Sequence, residues 1–130
     1  MILIDSSAWI EFLRDTATPA CVAVDRLLVT GFATCDPIRM EILAGARDER
    51  HLDQLRRLLA RGSMLQARPA DYEEAAALYR SCRRGGETVR RMIDCLIAAV
   101  ALRSGARVLH ADADFDVLTR HCGLLVEPAP

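Results

Sequence analysis

Lysine is missing from this chain altogether, and all 17 of its basic residues are arginine. Every mechanism that needs a catalytic lysine is excluded with it. The five cysteines, at positions 21, 35, 82, 95 and 122, are odd in number, form no CxxC pair and mostly lie within apolar runs. A disulfide framework would look different, so they read as free buried thiols in a reducing cytoplasm. The N-terminus lacks the basic segment and long apolar run of a signal peptide. No uncharged stretch reaches the roughly 18 to 20 residues of a membrane span; MIDCLIAAVAL is shorter and carries Asp94. A formal net charge of −1 does not announce a nucleic-acid binder. Aromatic residues, at 5 %, are too few for extensive base stacking.

What is present describes one α/β domain spanning residues 1–130. Hydrophobic residues make up 52 % and charged residues 27 %, enough to bury a real core in 14.4 kDa. Met1 to Ile4 is continuously apolar and reads as a strand buried on both faces. It runs into Asp5, with Ser6 or Ser7 capping a helix to Arg14. Further helices are expected over Cys21–Val29, from Asp36-Pro37 to Gly45, and over Asp48–Ala60, Tyr72–Arg84, Thr88–Ser104 and Phe115–Arg120. FATC, SMLQA, ARVLHAD and LLVEP supply the remaining strands. Strands alternating with helices predict a three-layer α/β/α sandwich around a parallel sheet of about five strands.

Acids interrupt the apolar runs. Asp5 ends MILID, Glu41 sits in PIRMEILAGA, Asp94 in RRMIDCLIAAVAL, and Asp112 follows VLHA with Asp114 just beyond. From Met92 to Leu102 the helix is apolar all round except at Asp94, so that carboxylate is expected to be buried. Asp5 and Asp112 follow strands, and Glu41 and Asp94 stand early in helices. All four therefore fall at the carboxyl edge of a parallel sheet, where such folds place their ligands. Carboxylates gathered in a low-dielectric pocket require a divalent cation, and hard oxygen ligands suit Mg²⁺ or Mn²⁺. Such an ion can activate water and stabilise charge on a phosphodiester.

The motifs ILIDSSAWIEFLR, PIRMEILAGA and GETVRRMIDCLIAAVALRSGARVLHADADFD, in this order and at this total length, resemble those of PIN-domain proteins of the VapC type. These are toxin ribonucleases of bacterial type II toxin–antitoxin pairs. The resemblance implies a Mg²⁺- or Mn²⁺-dependent endoribonuclease that cuts RNA with metal-activated water, is neutralised by a small VapB-type antitoxin and is usually dimeric. It places the family's acids on Asp5, Glu41, Asp94 and Asp112, with Asp114 able to share or replace the last role. Ser6 stands where the family more often has threonine, and its hydroxyl is retained as a supporting group. The family's first helices often form part of the antitoxin groove, so an exposed apolar patch near Trp9 and Phe12 would mark a partner site.

Each residue also has a plainer reading. Asp5 can be a helix cap, Glu41 a surface residue, and Asp94 the partner of Arg90 one turn earlier. Asp114 is a credible cap for the helix containing Phe115, which ranks Asp112 above it as a ligand. The histidines and cysteines fit no usual zinc spacing. Arg80, Arg83, Arg84, Arg90 and Arg91 surround Gly85-Gly86 beside the Asp94 helix. As a charge run they form a solvated face; beside a metal site, Arg83, Arg84, Arg90 and Arg91 are suited to RNA phosphates. Two other functions compete. A phospho-receiver domain also clusters acids on Mg²⁺, but relies on a lysine that is absent here. A catalytically silent PIN-like module that only binds RNA or a partner would be free to lose an acid, and the set is complete.

Overall fold

A computed structural model describes residues 1–129. Four short parallel strands form the centre: β1 (Ile2–Ile4), β2 (Ala33–Cys35), β3 (Ser63–Leu65) and β4 (Arg107–Leu109). Their order is β3-β2-β1-β4, with Leu3 opposite both Ala33 and Val108. Seven helices surround them: α1 (Ser6–Leu13), α2 (Pro19–Thr30), α3 (Asp36–Ala44), α4 (Glu49–Leu59), α5 (Pro69–Arg84), α6 (Met92–Ser104) and α7 (Ala113–Cys122). Helices α5, α6 and α7 pack on one another, while α1 packs on α2 and α3. Among the described residues, no helix is long and apolar enough to cross a membrane.

The chemistry of the starts and stops explains most boundaries. Thr18 accepts the Cys21 N–H at 3.3 Å, and Pro19 fills the first position of α2, where no N–H is needed. Asp48 accepts the His51 N–H at 2.8 Å to begin α4. Helix α5 starts three residues earlier than its alanine-rich pattern suggests, because Asp71 turns back to accept the Arg68 N–H at 2.8 Å. Gly105, at φ 67°, ends α6 in the left-handed region that favours glycine.

Trp9, Ile38, Ile97 and Phe115 are fully buried among the largest core side chains. The Trp9 ring meets Phe32 edge-on at 5.3 Å and Phe12 at 6.1 Å. Gly62 lets the chain pass this cluster, since a Cβ there would lie 2.3 Å from the Phe32 ring. Helix α6 is buried continuously from Asp94 to Ala101.

Three expectations are corrected. The sheet has four strands rather than five, because LLVEP contributes a single bridge between Val126 and Val108. Gly123 releases that segment from α7 and Pro128 closes it, leaving room for only two ladder bonds, to Val108, of 3.0 and 2.9 Å. Helix α6 begins at Met92 rather than Thr88, because the Asp114 carboxylate takes the N–H groups of Arg90 and Arg91, each at 3.1 Å. Helix α1 is capped by Asp5 itself, which accepts the Ser7 N–H at 2.9 Å, rather than by Ser6 or Ser7.

Candidate active site

The carboxyl edge of the sheet gathers the acids. Asp5 leaves β1, Asp112 and Asp114 follow β4, Asp94 stands in the first turn of α6 and Glu41 in the second turn of α3. Carboxylate oxygens of Asp94, Asp112 and Asp114 lie within 4.8 Å of one another. Asp94 is 1 % exposed, Asp114 2 % and Asp5 3 %. Asp112 and Glu41 reach further into a cleft of about 750 Å³, which Asp5, Ser6 and Ser7 also line.

Hydroxyls and backbone groups fix the rim. Ser6 Oγ donates to Glu41 Oε1 at 2.8 Å. Ser7 Oγ donates to Asp5 Oδ2 at 2.5 Å and accepts the Ala111 N–H at 2.9 Å, tying the ends of β1 and β4 together. Asp112 is the cap of α7, accepting the Asp114 N–H at 2.9 Å. The capping role considered for Asp114 thus falls to Asp112, and Asp114 is buried.

Two arginines answer the negative charge. Arg90 donates to Asp112 at 2.8 Å and to Asp114 at 3.2 Å. Arg91 donates to Glu41 at 2.5 Å and stands 3.7 Å from Asp94. The partner expected for Asp94 was Arg90, but Asp112 and Asp114 take Arg90, and the neighbour of Asp94 is Arg91. Arg83 and Arg84 lie elsewhere, at the end of α5; Arg83 stacks over Tyr79 at 5.6 Å and Arg84 donates to Ser81 at 3.2 Å. Of the four arginines expected to meet RNA, Arg91 is the one that lines the cleft.

Even with these counter-ions, the charge is not balanced. Asp5 Oδ1 and both carboxylate oxygens of Asp94 are buried without a hydrogen-bond donor. Burial pushes Asp94 up to about 8, aided by the facing Asp114 and by Asp5, against the pull of Arg91. Burial also raises Asp5, despite the Ser7 hydrogen bonds. Burial works the same way on Asp114, but the facing Asp94 and the hydrogen bonds from Arg90 and Arg91 hold it below the ordinary carboxylate range. A proton sited on Asp94 is one remedy for this crowding; a divalent cation among the hard oxygen ligands of Asp94, Asp112 and Asp114 is the other. The donor set, all carboxylates, fits Mg²⁺ or Mn²⁺.

Sequence reasoning did not single out Ser7 as the link between β1 and β4, nor Arg91 as the counter-ion of Glu41. The first carries no signal beyond its place after Asp5. The second was visible as an arginine three residues before Asp94.

The PIN domain family model matches residues 2–120. The chain is 52 % identical over 124 residues to VapC ribonuclease Mb1587 of Mycobacterium bovis, covering 92 % of both chains. It shows the same identity and coverage with ribonuclease VapC11 of Mycobacterium tuberculosis. Among solved structures, its fold is similar to that of VapBC2 from Rickettsia felis bound to a promoter DNA fragment, with a TM-score of 0.77, 16 % identity and 98 % of each chain covered. It is also similar to Mycobacterium tuberculosis VapC20, a toxin that cleaves the sarcin–ricin loop, with a TM-score of 0.71, 19 % identity and 100 % coverage of both. The chain belongs to the PIN-domain family and, within it, to the VapC ribonucleases.

Proposed function

We propose that this chain is a Mg²⁺- or Mn²⁺-dependent endoribonuclease, the toxin of a toxin–antitoxin pair, with its reaction centre at the acidic cluster. The observation that carries this reading is the set of three buried carboxylate oxygens left without donors on Asp5 and Asp94. An acid is costly to bury unpaired, and a fold keeps such a site where a cation belongs. Asp5, Asp94, Asp112, Asp114 and Glu41 would hold the ion. When bound, the ion supplies positive charge against the phosphodiester and acidifies the attacking water.

The protein's own groups do the rest. Ser6 donates to Glu41 Oε1 and Arg91 to Oε2, so Glu41 is held at the cleft wall, where it would orient the water and take its proton once Arg91 turns to a phosphate oxygen. Ser7 holds Asp5 and the Ala111 backbone in register, keeping the β1 and β4 acids together. Arg91, at the cleft wall, offers a guanidinium to a phosphate oxygen. Because water attacks, the products carry 5′-phosphate and 3′-hydroxyl ends.

Relatives and structural neighbours carry VapC and VapBC names, which supports a VapB-type antitoxin as partner. The simplest inhibition is a basic side chain of that partner reaching Asp5 and Asp94. The family also favours a homodimer. RNA incubated with the chain and Mg²⁺ should be cut, and EDTA or Asp5→Asn should abolish cutting. A 2′,3′-cyclic phosphate product would refute the mechanism. Unaltered binding with no cleavage under any divalent ion would favour a silent RNA-binding module instead.

A further inference from the structure

The cleft does not end at the acids. It runs on past Ile10 and Leu13 of α1 to Arg14, Arg47 and His51. We propose that Arg14, Arg47 and His51 form a backbone subsite for single-stranded RNA, holding a phosphate beyond the one that is cut. The proposal rests on the ribonuclease reading and assigns the substrate's path through the same cleft.

The chain's local structure builds this end of the cleft from two elements. Asp5 and Arg14 are the two caps of α1, so one helix carries an acid of the reaction centre at its start and a guanidinium at its finish. Across the eight helical residues between them, at about 1.5 Å of rise per residue, the two caps lie about 13 Å apart along the axis. One phosphate group cannot touch both, so a ligand that does so must be a chain. Arg47 lies in the turn between α3 and α4, and His51 stands in the first turn of α4.

The protonation of the histidine follows from its hydrogen bond. His51 Nδ1 accepts the Arg47 N–H at 3.1 Å, which leaves the proton of the neutral ring on Nε2 as a donor. Among the described residues, neither the Arg14 nor the Arg47 guanidinium has an ion pair or hydrogen bond, unlike Arg90 and Arg91 at the acids. This end of the cleft thus offers three donor side chains, two of them permanently charged, with the Glu11 carboxylate and the Gln54 amide also on its wall. The other end is a carboxylate cluster that becomes able to face a phosphodiester once a divalent cation is held. A polyanion whose cut bond lies at the acids and whose next phosphates lie at the arginines complements both ends. Ile10 and Leu13, 40 % and 43 % exposed between the two ends, give the bases an apolar surface without hydrogen-bond readout.

The experiment compares the parent chain with Arg14→Gln, Arg47→Gln, their double variant, and Arg107→Gln as a surface control at the opposite end of β4. Steady-state cleavage of a fluorescein-labelled single-stranded RNA of mixed sequence is followed in Mg²⁺. Binding of the same RNA is followed by anisotropy in an Asp94→Asn background between about 50 and 300 mM salt. Removing one arginine from a phosphate should lower the slope of log K against log salt by about 0.7. The double variant should therefore lose about 1.4, with KM rising about tenfold and kcat little changed, and Arg107→Gln should match the parent. Cleavage that persists with KM and salt slope unaltered in the double variant overturns the subsite and leaves this wall to a protein partner. A parent chain that cuts no RNA overturns the ribonuclease reading, and the subsite with it.

Discussion

Replacing Asp94 by asparagine should make the metal-free protein more stable while abolishing RNA cleavage. Asp94 is 1 % exposed, and neither of its carboxylate oxygens has a hydrogen-bond donor. Its folded pKa, about 8, lies above the ordinary value near 3.8. The folded state therefore binds a proton that the unfolded state has released. The stabilising contribution is complete below pH 4 and falls as the pH rises towards 8, after which it changes no further. A span of about 4 pH units at about 1.4 kcal/mol per unit sets an upper limit near 6 kcal/mol. Relaxation and water entry around the charged carboxylate lower the expected gain from Asp94→Asn to about 2–3 kcal/mol at pH 8.5. For a chain of this length that is about 10 °C in Tm. Thermal melts in EDTA at pH 5 and pH 8.5 read it directly: a small advantage for the variant at pH 5, and a much larger one at pH 8.5. Added Mg²⁺ should raise the Tm of the parent chain and leave the variant unmoved. A variant that melts lower than the parent at pH 8.5 would show that Asp94 stabilises the fold through Arg91, and that the buried acid serves structure.

Arg91→Gln removes the guanidinium that bridges Glu41 and Asp94. It should tighten Mn²⁺ binding about tenfold while slowing cleavage, as read by calorimetry and turnover; weaker Mn²⁺ binding would contradict the competition. Arg103→Ala leaves Asp71, 2 % exposed, without the partner that donates to it at 2.9 and 3.0 Å. A loss of about 2–3 kcal/mol is expected at pH 7 in urea unfolding. Hydrogen bonds from Arg103 hold the Asp71 pKa below 3.8, so this stabilisation is present above pH 4 and lost in acid, and the deficit should narrow there. Trp9→Ala opens a cavity against Phe12 and Phe32, and should cost about 3–5 kcal/mol in the same assay.

The acids were legible because each breaks an apolar run. A charged residue inside MIDCLIAAVAL has nowhere to go but the interior, and MILID must end where a parallel sheet exposes its carboxyl edge. The division of labour between Asp112 and Asp114 was not legible. Either residue can cap α7, and the choice is made by the N–H groups of Arg90 and Arg91, more than 20 residues away, which draw Asp114 inward. The same interaction trims the start of α6, so both departures from the sequence reading have one long-range cause. The missing fifth strand has a local one, since Gly123 and Pro128 leave only Val126 to pair. The basic end of the cleft was hidden because Arg14, Arg47 and His51 come from separate elements and share no spacing. Only the packing of α1 against α3 brings them into one cavity with the acids.

The most direct test of the central claim is a crystal of this chain soaked in Mn²⁺ and read for anomalous signal. An ion coordinated by carboxylate oxygens of Asp94 and of Asp5, Asp112 or Asp114, at distances of about 2.0–2.3 Å, is the predicted result. No signal at the cluster, with Arg90 and Arg91 still seated on Asp112, Asp114 and Glu41 at saturating Mn²⁺, would contradict it.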